Sequence, residues 1–167
     1  SEQKSVNNFV IFGLGVVYCQ IALGGWTSAN YAALICTDFP TCQGKWWPQM
    51  NFEEGFVLWR GLGVDYEGGV LDASARTAVH VTHRLGALIT FIVVLSIAIN
   101  TILSKSRRFL SLGVLIICLL LAQVSLGVAN VLFTLPLPIA VAHNGVAALL
   151  LLSMVTLLYF SQFATDN

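Results

Sequence analysis

Residues able to do chemistry in this chain lie where water is scarce. Three histidines and an arginine stand in stretches that are otherwise almost wholly apolar: His80, His83 and Arg84 in "VHVTHRLGAL" (79–88), and His143 in "AHNGVAALLLL". A charged group at mid-bilayer costs about 2.5–3.5 kcal/mol on insertion scales, so each must stay neutral or find a partner. Histidine stays neutral readily, and a neutral imidazole is the commonest metal ligand, haem iron included. One intramembrane histidine alone reads as a hydrogen-bonder between helices. Two at one depth on different helices meet the requirement of an axial pair, one imidazole on each face of a flat macrocycle. His83 follows Arg76 by seven residues and His143 follows Pro138 by five. At 1.5 Å per residue both are expected roughly 8–11 Å below the outer boundary.

His80 stands one helical turn above His83 on nearly the same face. It is read either as solvated at the interface or as meeting a haem propionate. Arg84 lies about 100° around the helix from His83; its planar fork suits a carboxylate, or it snorkels to lipid headgroups. Gln20 and Gln123 are read first as interhelical hydrogen-bonders and second as contacts to a cofactor edge. Gly86 and Gly145 follow the two histidines and would leave room beside them; Gly24, Gly25 and Gly127 read as packing notches. Outside the spans, Cys36 and Cys42 in "CTDFPTC" suit a disulfide in an oxidising compartment, either a structural staple or a redox-cycling pair. Cys19 and Cys118 fall within spans and read as inert packing residues.

These side chains need membrane helices to hold them. The chain has 167 residues, 57% hydrophobic and only 10% charged, with zero formal net charge. That composition excludes an ordinary soluble domain, and no basic stripe or phosphate-cradling loop points to nucleic acid. Four segments suffice to cross a bilayer core of roughly 30 Å: 8–31, 76–103, 109–133 and 137–162. The expectation is an all-α membrane protein, a single four-helix transmembrane domain over 1–167, with an outer loop at about 32–75. Lys105, Arg107 and Arg108 in the tight "SKSRR" connection, with Lys4 before the first span, put both termini in the cytoplasm by the positive-inside rule. The long loop then faces the periplasm, with Asp38, Glu53, Glu54, Asp65, Glu67 and Asp72 against Lys45, Arg60 and Arg76. The first span reads as a retained helix rather than a signal peptide.

The chain also repeats itself. "QIALGG" from Gln20 matches "QVSLGV" from Gln123, and "HRLGAL" from His83 matches "HNGVAAL" from His143, so two pseudo-symmetric helical hairpins are expected. The first carries the long loop, in which Trp46, Trp47, Phe52, Phe56 and Trp59 suit the water–lipid interface on a short surface-lying helix. The second is closed by "TLPLP".

Taken together, "QIALGGWTSANYAALICTDFPTCQGKWWP", "HVTHRLGAL" and "QVSLGVANVLFTLPLPIAVAHNGVAALLLL" resemble the heme A synthase family of cytochrome oxidase assembly, over nearly the whole chain. That family is built from two four-helix halves, each with a histidine pair; one half takes haem O, whose methyl group becomes the formyl group of haem A, and the other holds a haem b. The chain is similar to one half, the C-terminal one. The resemblance implies haem b between His83 and His143 as iron ligands, haem O or haem A as substrate or product, and Cys36 with Cys42 as the outer-loop disulfide. Where the family's first half has a glutamate three residues before the span-two histidine, this chain has His80, and no acid lies within a span. No catalytic residue is therefore assigned. The expectation is an oxidoreductase half of a bacterial inner-membrane enzyme that needs a second half, a partner chain or a homo-oligomer. A non-enzymatic haem carrier or assembly factor is the alternative.

Overall fold

The computed structural model describes residues 2–59, 69–104 and 106–163, with side chains from Asn7 onward. Arg60, Asp65, Glu67 and Lys105 lie outside the described residues, and of Lys4 only the main chain is described. Helix α1 runs Glu2–Ala29, α2 Phe52–Gly55, α3 Ala73–Ile102, α4 Arg107–Leu132 and α5 Leu137–Phe163. Four of these are long and apolar enough to cross a membrane, at 23 residues (Asn7–Ala29), 30, 26 and 27. The all-α four-span expectation holds, with boundaries displaced by a few residues for local reasons.

Helix α3 starts at Ala73, before Arg76, because the Asp72 carboxylate caps it, accepting from the Ala75 N–H at 2.7 Å. Helix α1 stops at Ala29 because Tyr31 turns to φ 52°; the Tyr31 N–H reaches back to the Ser28 carbonyl and the Ala32 N–H to that of Thr27. This is the Schellman closure of a helix C-terminus. Helix α4 ends the same way, with Thr134 at φ 57° and the Leu135 N–H on the Asn130 carbonyl at 2.8 Å. The same interval separates Gln20 from Gln123, Gly24 from Gly127 and Tyr31 from Thr134, so the hairpin repeat extends to how each first helix terminates.

The four long helices form a ring: α1 packs on α3 and α5, and α4 on the same two. Among the described residues no Cα of α3 comes within 8 Å of one in α5, nor of α1 to α4. The histidine-bearing helices are thus diagonal. Their interior is filled unevenly. The inner half holds one continuous cluster of Val10, Val17, Val94, Ile97, Ala98, Leu112, Ile116, Leu120, Leu150, Met154 and Leu157. Gly113 lets α4 approach the main chain of α3 at Ala98, where an added Cβ would stand 2.9 Å from the carbonyl oxygen; small residues at such crossings are usual in membranes. In the outer half, by contrast, no residue of α4 beyond Leu120 and none of α5 before Leu150 is buried. Large apolar side chains such as Leu88, Ile92, Leu121 and Leu152 face outward, as lipid allows. Span hydroxyls bond the carbonyl four residues back, as Thr90 does to Gly86 and Thr156 to Leu152.

Candidate functional site

His83 on α3 and His143 on α5 stand in the half of the bundle nearer the disulfide loop, where α4 and α5 contribute no buried residue. Each is held by the first helix of its own hairpin. The Gln20 Nε2 lies 3.0 Å from His83 Nδ1 and donates to the His83 carbonyl at 3.0 Å. The Gln123 Nε2 lies 3.2 Å from His143 Nε2. One turn further along α1 and α4, a glycine lies against each ring: a Cβ on Gly24 would meet His83 Cε1 at 3.3 Å, and one on Gly127 would meet His143 Cε1 at 3.2 Å. Those distances are tighter than ordinary packing, so only glycine leaves the imidazoles where they are. Gly86 has a different use, because a Cβ there would overlap Gln20 Oε1. A Cβ on Gly145 meets nothing within 4 Å, so open space lies beside that glycine.

Three polar atoms here are buried without a hydrogen-bond partner: Gln20 Oε1, Gln123 Oε1 and His143 Nδ1. Orphaned polar groups are costly and few in folded proteins. Here they belong to the two histidine–glutamine pairs of the duplicated hairpins, with Gln20 Oε1 lying against Gly86. Two imidazoles with glycines at their edges and unsatisfied polar atoms beside them make a set of side chains that could hold a metal-bearing group. His83 and His143 are the residues able to ligate its metal.

His80 and Arg84 are held by main-chain carbonyls. His80 is only 4% exposed, and its Nδ1 donates to the Ala32 carbonyl at 2.9 Å, tying α3 to the residue just past α1. A solvated His80 is thereby corrected; burial above α1 is the reason. Arg84 meets neither a carboxylate nor open headgroup space. Its guanidinium donates to the main-chain carbonyls of Thr41 (2.7 Å), Asp38 (2.8 Å), Cys36 (3.3 Å) and Pro40 (3.5 Å), and lies 5.7 Å from the Phe39 ring. The fork thus clasps the loop closed by the Cys36–Cys42 disulfide.

That loop has its own organiser, which residue types alone did not single out. Asp38 accepts from the Thr41 hydroxyl and from the main-chain N–H groups of Gln43 (2.7 Å) and Gly44 (3.0 Å). Thr41 foremost, then Gly44, hold its carboxyl down to about 2. The Gln43 amide donates to Thr77 of α3 at 3.1 Å. An aspartate three residues before a threonine and six before a glycine was the available signal. Further along, Asn51 caps α2 and its N–H reaches the Ser74 carbonyl, while Trp26 donates to Gly55 at 2.9 Å. Trp46, Trp47, Phe52 and Trp59 are exposed as an interfacial reading requires. Phe56 is corrected: it packs inward with Leu71, Ala75 and Val79. Cys19 and Cys118 are corrected too, being exposed free thiols on the outer face of the bundle and no part of its packing.

Residues 1–155 match the family described as cytochrome oxidase assembly protein. The chain is 48% identical over 163 residues to a heme A synthase of Shewanella oneidensis, covering 96% of this chain and 49% of the relative. A heme A synthase of Neorickettsia sennetsu is 32% identical over 133 residues (79% and 36%), and one of Methylobacterium radiotolerans 29% over 141 (84% and 36%). The chain thus spans half or less of the curated relatives it matches. No solved structure matches it.

Proposed function

The chain belongs to the cytochrome oxidase assembly protein family, and from that premise we propose that it is the haem-binding half of a heme A synthase-like enzyme, converting haem O to haem A. In this reading His83 and His143 are the residues that would hold haem b. The observation that carries it is the duplicated arrangement of histidine, glutamine and glycine, with three orphaned polar atoms in it. When bound, the haem would supply a one-electron couple suited to electron transfer.

The chain's own residues do the rest. Gln20 and Gln123 orient the rings, Gly24 and Gly127 clear their edges, and the inner apolar cluster closes the floor against water. Arg84, the disulfide loop and the His80 tie brace the outer end of α3, which carries His83. Both termini lie in the cytoplasm and the long loop in the periplasm. The second half, a partner chain or further copies complete the enzyme, because no span of this chain carries an acid.

The purified protein is expected to show sharp low-spin bands on reduction, and extraction of the pigment to identify haem b. His83→Ala and His143→Ala each abolish those bands, whereas His80→Ala leaves them largely intact. Colourless protein with full helix content defeats the reading, and ready transfer of haem to an apo-acceptor makes the chain a carrier instead.

A further inference from the structure

The loop that follows α1 is tied to α3 at fixed levels. Gln43 donates to Thr77 at 3.1 Å, Cys36 and Cys42 pack with Val81, and Arg84 holds the carbonyls of Cys36, Asp38, Pro40 and Thr41. Thr77 and Arg84 stand four and eleven residues after Ala73, where α3 begins, so these ties run from about 6 to about 17 Å along the helix. The 30 residues of α3 measure about 45 Å, the thickness of a bilayer with both headgroup zones, against roughly 30 Å for the hydrocarbon core. About 15 Å of the helix therefore lies outside the core. Even with that whole excess at the loop's end, the level of Arg84 reaches the edge of the hydrocarbon. The disulfide ring thus stands beside the lipid headgroups rather than above them.

The segment is built for that place. Water grows scarce toward the hydrocarbon, where an unpaired main-chain group is costly. Arg84 takes four carbonyls of the ring, and the Asp38 carboxylate takes the Thr41 hydroxyl and the N–H groups of Gln43 and Gly44. Cys42 and Lys45 bond main chain to main chain across a tight turn, with Gln43 and Gly44 both at positive φ (55° and 72°). With its polar groups turned inward, the segment shows apolar ones outward: Phe39 is 49% exposed, Trp46 77% and Trp47 69%. Buried Cys42 and Pro48 pin the tryptophan pair on either side. Leu88 and Ile92, one and two turns beyond Arg84, are exposed as lipid-facing residues are and continue this surface into the core. We propose that residues 36–47 form a lipid-binding wedge whose partner is the glycerol and headgroup zone of the phospholipid leaflet beside α3. Trp46 and Trp47 seat in that zone, and exposed Lys45 is the cation available to its phosphates. The proposal is independent of the haem reading and survives its failure.

Fluorescence of the protein reconstituted in phosphatidylcholine vesicles tests this. Trp46→Phe combined with Trp47→Phe leaves Trp26 and Trp59 in place, so the emission lost between wild type and variant belongs to the pair. That emission is expected to fall about twofold or more when the lipid carries bromine high on its acyl chains, as for tryptophans at the headgroup level. Bromine deep in the chains is expected to quench less, and iodide in the water to quench little. Should the double variant fail to assemble, either single replacement reads one ring of the pair in the same way. Strong iodide quenching with none from the lipid overturns the proposal, because the pair would then face water and stand free for a protein partner. Deep bromine quenching more than shallow overturns it too, since the wedge would then lie in the hydrocarbon and not at the headgroups.

Discussion

Asp38 gathers the Thr41 hydroxyl and the Gly44 and Gln43 N–H groups onto one carboxylate, and those bonds are strongest while it is ionised. Its value is lowered to about 2, so its contribution to the loop is fully present above the ordinary carboxylate value of about 3.9. It is lost as pH falls from there through about 2. Hydrogen-exchange protection of the Gln43 and Gly44 amides is therefore expected to hold steady from neutrality to about pH 4 and to decline below it. Asp38→Asn should weaken it at every pH; pH-independent protection in the wild type would disprove the assignment. Asp72, lowered first by its bond from the Ala75 N–H, acts in the same direction at the start of α3. Legibility at this scale depended on the kind of partner. The histidine pair and its glutamines were visible in the repeat, because duplicated residue types at a constant interval mark equivalent positions. The partners of Arg84 and His80 were not, because they are main-chain carbonyls, which every residue carries and no residue type advertises.

The helices were legible because about 20 apolar residues in a row admit no other structure in a bilayer, where every main-chain group must be satisfied within its own segment. Their ends were less so: one cap at Asp72 and one positive φ at Tyr31 set the limits of the long outer loop, and neither is a hydropathy signal. How that loop folds back onto α3 is a long-range matter settled by Arg84, Gln43 and Asn51. Replacing the Arg84 fork should release it. Arg84→Lys keeps the charge, but a compact ammonium cannot reach carbonyls spread from Cys36 to Thr41. Loss of even one hydrogen bond from a charged donor, about 1.5–3 kcal/mol, is expected to raise the population of the opened loop about tenfold or more. Under conditions where opening precedes attack, phosphine reduction of Cys36–Cys42 should accelerate by that factor. Reduction at the wild-type rate would mean that the loop holds itself without α3.

Across the whole molecule, packing and polarity vary along one axis. The half remote from the disulfide loop is a close apolar cluster, the half nearer the loop holds the histidines, and beyond them lies the loop with its exposed Trp46, Trp47 and Trp59. At the opposite end, Tyr159 and Phe163 are exposed on α5, and Arg108 lies 5.0 Å from the Phe160 ring. Aromatic residues at both ends are what a spanning bundle places at its two interfaces, and they fix its depth without fixing which end faces out. By the positive-inside rule, the basic turn between α3 and α4 supports the proposed orientation, in which the disulfide loop faces the compartment where thiols oxidise. The direction can be measured with two added thiols in a background where Cys19 and Cys118 are alanine. Gln49 is exposed in the outer loop, and Ser106 is exposed at the start of α4 with no side-chain capping bond to lose. In sealed right-side-out vesicles, Gln49→Cys is expected to react with a membrane-impermeant maleimide at once, and Ser106→Cys only after the membrane is permeabilised. The reverse pattern would place the disulfide loop and the open end of the histidine site on the cytoplasmic side, in a reducing compartment, and the orientation proposed here would fall while the fold remained.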